Sequence, residues 1–138
     1  MGLGQSRPTA DGAAALTFDA RASQRLLQAA RRCDAGEVQK ALQAAANPDT
    51  RSQHSGRPAL SFAAQCGEAD AVRHLLLGRA DVNAAGQDGR TALHVAVAWE
   101  RGPATGLLCD HGASRDVRDS HGLSPRTLAS RRNAVGPL

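Results

Sequence analysis

The segment Gly56-Arg57-Pro58-Ala59-Leu60 returns 33 residues later as Gly89-Arg90-Thr91-Ala92-Leu93, and this recurrence constrains the fold more than any other feature. The same shift carries Gly89 onto Gly122, Thr91-Ala92 onto Ser124-Pro125, and Leu75 onto Leu108. It also lays Ala80-Asp81-Val82-Asn83 over Ala113-Ser114-Arg115-Asp116. A shift of 34 aligns Ala46-Asn47-Pro48-Asp49 with Ala80-Asp81-Val82-Asn83, and Ala29-Ala30 with Ala63-Ala64. Independent anchors at one period signal stacked supersecondary units, each touching only its neighbours, rather than one globule.

Each unit has a physical reading. Residues 58–65 form a short apolar helix, with alanines where a neighbouring unit must come close. Gly67 supplies the permissive backbone that ends it. Residues 70–77 form a second helix whose Val72, Leu75 and Leu76 share one face. Residues 80–89 make a loop rich in Gly, Asn and Asp, suited to a tight projecting turn. Thr91 caps the next helix by accepting a backbone hydrogen bond. Composition agrees: 28 alanines, 14 glycines and only three aromatics (Phe18, Phe62, Trp99) describe a core spread thinly along an axis.

The stretch Gly89-Arg90-Thr91-Ala92-Leu93-His94-Val95-Ala96, with Leu75-Leu76-Leu77 followed by Ala80-Asp81-Val82-Asn83, resembles the ankyrin repeat. The resemblance implies an all-α solenoid of stacked helix-turn-helix units with projecting β-turn loops. It divides the chain into a disordered leader (1–22), a repeat domain (23–132) and a short tail (133–138). Within the domain, repeats cover about 23–54, 55–87 and 88–120, with a partial fourth over 121–132. The first unit lacks the helix-start signature and opens on Gln24-Arg25-Leu26-Leu27, as a polar N-terminal cap would. The third has Glu100 at the place of Gly67, and Pro103 is expected to open its second helix at the first position. The fourth carries Arg126 where leucine is expected, and the run from Asn133 to Pro137 makes no second helix, leaving one edge of the stack poorly covered.

Other chemistries find little support. Cys33, Cys66 and Cys109 are odd in number and contain no CxxC pair, so free thiols are expected rather than a zinc site or disulfide. The net charge of +4 comes without a basic stripe or aromatic interleaving, which speaks against nucleic acid. His94 has no catalytic companion at the required spacing, and Ser61 takes its place one repeat earlier. The resemblance implies that His94 hydrogen-bonds a neighbouring turn. Cys109-Asp110-His111 falls at a helix end facing solvent, and no phosphate-binding Gly-rich loop is present. No enzyme activity, metal or cofactor is expected. Neither a membrane-spanning run nor a secretory leader is visible, so the expected location is cytoplasmic, nuclear or both.

The expected function is non-enzymatic protein recognition on the concave face that the resemblance implies. Candidate contact residues at the ends of the inner helices are Arg31, Arg32, Gln65 and Trp99. Those at the turns are His54, Arg57, Gln87, Asp88, Arg90, Ser120 and His121. The arginines favour a partner with exposed carboxylates, since the guanidinium fork pairs them bidentately. The chain is expected to act as a monomer. Two alternatives stand beside this adaptor or regulatory role. One is an inhibitor resembling the small ankyrin-type cyclin-dependent kinase inhibitors, suggested by Asp116-Val117-Arg118-Asp119 and Gly122. The other is an N-myristoylated membrane-peripheral adaptor, since Gly2 and Ser6 fit that pattern, with membrane contact only if Gly2 is acylated.

Overall fold

A computed structural model describes residues 18–135, and its regular elements are seven helices joined by turns. The elements are α1 (Ala20–Arg31), α2 (Ala35–Gln43), α3 (Ala59–Cys66), α4 (Ala69–Leu77), α5 (Ala92–Ala98), α6 (Gly102–Asp110) and α7 (Pro125–Val135). Consecutive helices pair as α1–α2, α3–α4 and α5–α6. Helices α1, α3, α5 and α7 then pack side by side in one row, and α2, α4 and α6 in a second.

Local chemistry explains where these helices begin. The Asp19 carboxylate accepts hydrogen bonds from the Arg21 and Ala22 N–H groups, satisfying donors that a first helical turn leaves orphaned. Helix α1 therefore starts at Ala20, three residues before the expected boundary at Ser23. Thr91 caps α5 as expected, and the His94 side chain completes a reciprocal capping box. Pro103 is the second residue of α6 rather than the first; its missing N–H still falls where no intrahelical partner exists. Helix α7 runs on to Val135, past its expected end near residue 131 or 132, because the first strong helix breakers are Gly136 and Pro137.

The core is a line of leucines and valines separated by alanines. Leu26, Leu60, Leu93, Val38, Val72, Leu75 and Leu108 are buried, each worth about 1.5–3 kcal/mol relative to exposure. Ala29, Ala30, Ala63, Ala64 and Ala96 are also buried, and their single methyl groups let neighbouring helices approach closely. Between α6 and α7 a cleft of about 240 Å³ is lined chiefly by Leu93, Val97, Cys109, Pro125 and Ala129.

One expectation is overturned. Cys33 and Cys66 are disulfide-bonded, with their Cα atoms 5.6 Å apart. The reason is the stacking itself, since residues 33 apart lie at the ends of adjacent inner helices. Local spacing rules such as CxxC do not detect a pair assembled in this way. Cys109 is a free, half-buried thiol in α6.

Candidate protein-binding face

The turns that connect successive helix pairs are themselves stacked. The Gln87 N–H donates to Ser55 O at 3.0 Å, and one repeat further the Ser120 N–H donates to Asp88 O at 2.8 Å. Within each turn the backbone doubles back, bringing Arg51 opposite Pro58 and Ala85 opposite Thr91. Among these turns Gly89 makes the tightest approach to neighbouring backbone. Its φ is +77°, and a Cβ there would lie 3.0 Å from Asp119 Cα. Gly56 and Gly122 share that left-handed conformation, which accounts for the glycine at every turn. The result is a rigid row of turns presenting His54, Gln87, Asp88, Ser120 and His121, all exposed.

Arginines converge beside this row. The Arg31 guanidinium lies 5.0 Å from the Phe62 ring centroid, and that of Arg57 lies 4.3 Å from the same ring. Arg31 also donates to Ser52 Oγ at 3.0 Å, and Arg57 to Gln65 Oε1 at 2.9 Å. Two cations thus share one aromatic ring, an arrangement that holds both side chains in place. Burial lowers the Arg57 pKa from its ordinary value; Asp88 opposes this, while Arg31 and Arg90 add to it. Arg57 remains charged nonetheless, because a guanidinium is not deprotonated in proteins. The local excess of positive charge favours an incoming anion.

Arg90, at the register of Arg57, pairs inward. Its Nε lies 3.5 Å from Oδ2 of the buried Asp119. Burial pushes the Asp119 carboxyl up. Hydrogen bonds from the Leu123 and His121 N–H groups, the nearby His94 and the Arg90 guanidinium more than offset this and hold it below the usual aspartate range. Arg32 is exposed as the C-cap of α1, and Trp99 is the C-cap of α5 with 53% of its surface exposed. The structure brings Arg31, Arg57 and Gln65 into one cluster, while Arg90 joins Asp119 at the turn.

Sequence reasoning missed three residues here. Phe62 organises the arginine pair; its register partners Gln28 and Val95 differ in polarity, a signal that this position borders solvent. Arg51 donates to Gly56 O and Ala85 O, tying two turns together. Arg101 donates from Nε to Gln65 O at 3.0 Å and lies over Gly67, where a Cβ would come within 2.6 Å of its Cδ. Gly2, the candidate acylation site, lies outside the described residues.

His94 is structural, as expected. It is fully buried, with Nδ1 3.0 Å from the Thr91 N–H donor and Nε2 2.8 Å from Leu123 O. Since Nδ1 accepts, Nε2 carries the proton and donates to the fourth turn. Among the described residues, no helix is long and apolar enough to cross a membrane.

Helix pairs in two rows, with hairpin turns stacked along one side, define a repeat protein that presents an extended surface. The chain belongs to the ankyrin-repeat family: the family model for ankyrin repeats matches residues 26–119 in three copies. Among curated proteins it is 34% identical over 90 residues to SH3 and multiple ankyrin repeat domains protein 1 of Homo sapiens. That match covers 64% of this chain and 4% of the relative. It is 36% identical over 87 residues to Neurogenic locus notch homolog protein 1 of Danio rerio, covering 62% of this chain and 4% of that protein. Potassium channel AKT1 of Oryza sativa subsp. indica is 49% identical over 49 residues, 36% of this chain and 5% of the channel. The chain therefore spans only a small fraction of these relatives. Ankyrin repeats generally mediate protein–protein interaction, and the family is typically non-enzymatic.

Proposed function

We propose that this chain is a non-enzymatic adaptor or regulatory module, working as a monomer in the cytoplasm or nucleus. It docks a partner protein bearing exposed carboxylates on its concave face, formed by the turns and inner helices. The observation that carries this reading is the Arg31–Phe62–Arg57 stack. Its guanidiniums are already held in place, so little side-chain entropy is lost when a carboxylate arrives. Arg32 and Trp99 extend the surface with the residue types that most often anchor interfaces.

The test is affinity purification with wild type beside Trp99→Ala and Arg57→Ala, followed by titration of any identified partner. Each substitution is expected to weaken binding roughly tenfold. Affinity should also fall as salt rises, because the attraction is partly between exposed charges. An unchanged partner list with both variants would refute the face.

A further inference from the structure

We propose that the Cys33–Cys66 pair is a reversible thiol–disulfide exchange site for a small thiol of the glutathione class, and that its redox state sets how firmly the first helix pair is held on the second. The bond joins two successive repeats, tying the end of α1 to the end of α3. Cys33 is exposed and Cys66 is half-buried, so an incoming thiolate reaches Cys33 first. The exposed Arg31 and Arg32 beside it attract an anionic thiol.

In the bonded state the sulfurs lie near main-chain carbonyls. Cys66 Sγ lies 3.5 Å from Ala30 O and Cys33 Sγ lies 4.0 Å from Arg31 O.

The exchange balances in two steps. A thiolate bonds to Cys33 Sγ, the bond to Cys66 Sγ breaks, and Cys66 leaves as a thiolate that takes a proton from solvent. A second thiolate attacks the small-molecule sulfur of the mixed disulfide, releasing Cys33 and forming the oxidised small-molecule disulfide. Two small thiols are oxidised and the protein disulfide is reduced by two electrons. The oxidised small-molecule disulfide drives the reverse reaction.

The site is tested on the whole folded chain, equilibrated in glutathione buffers of graded reduced-to-oxidised ratio, acid-quenched and labelled with a maleimide. Intact mass should resolve a one-label form, carrying only Cys109, and a three-label form. Peptide mapping should join Cys33 to Cys66. By hydrogen exchange, reduction should raise the opening of residues 20–43 roughly tenfold or more, while residues 92–110 change little. Cys33→Ser under oxidising buffer should reproduce the reduced pattern. Three labels at every ratio would overturn the proposal, as would a bond reducible only after unfolding. So would unchanged exchange over residues 20–43 upon reduction of the wild-type chain, a comparison that needs no variant.

Discussion

Replacing His94 by alanine removes the side chain that fastens the fourth turn to the third helix pair. The imidazole is fully buried, so the truncation opens a void as well as breaking bonds. It leaves the Thr91 N–H, itself buried, without its 3.0 Å acceptor, while Leu123 O loses the 2.8 Å bond from His94 but keeps the Asp119 N–H at 2.9 Å. An unsatisfied buried donor or acceptor costs about 1–3 kcal/mol. Leu123 O retains a donor, so the cost falls on the unpaired Thr91 N–H and the void, and about 3 kcal/mol is expected for the variant. Ser61 provides the internal control, because it occupies the same register one repeat earlier. Its buried Oγ has no hydrogen-bond partner among the described residues, so Ser61→Ala should be neutral or mildly stabilising. Urea unfolding followed by circular dichroism measures both variants, and hydrogen exchange locates the effect. Protection should fall first over residues 119–131, where the fourth turn and α7 lose their anchor. A loss under about 1 kcal/mol for His94→Ala, or a loss with exchange in α7 unchanged, would show that His94 does not anchor the fourth turn.

Gly89→Ala should destabilise by about 1–3 kcal/mol, combining its positive φ with a Cβ placed 3.0 Å from Asp119 Cα. Gly106→Ala, within α6 and with no atom near its Cβ, should stabilise by about 0.5–1 kcal/mol; thermal melts of the two variants give the contrast. The depressed Asp119 pKa makes a stability contribution that is fully present above the unfolded value near pH 4 and is lost as pH falls through the lower folded value. Urea midpoints from about pH 6 down to pH 2 should therefore lose one acid-sensitive component in Asp119→Asn; identical pH profiles would contradict this. Phe62→Leu keeps apolar volume but removes the ring beneath Arg31 and Arg57. It should weaken partner binding several-fold while leaving the melting temperature nearly unchanged, as calorimetric titration beside a melt would register.

The period, the two helices of each repeat and their caps were legible in the chain. The period shows as a 33-residue recurrence, and helices and caps such as Thr91 with the His94 N–H depend on groups only a few residues apart; the Asp19 cap, within the expected leader, was not read. The left-handed helix ends were legible in part. Gly67 announces one, but its register partners Cys33 and Glu100 adopt the same conformation with φ of 63° and 57°.

The recurrence and its local helix signals thus specify a stack of helix pairs with projecting turns, and place arginines among the turn and helix-end residues. Which of these residues meet depends on how the repeats pack. Arg31 and Arg57 converge on Phe62, Arg90 turns inward to Asp119, and Cys33 bonds to Cys66. Each of these contacts crosses from one repeat or turn to its neighbour. Its partners are set by the rise and rotation between packed units, quantities fixed by side-chain packing along the whole interface and carried by no local pattern of residues.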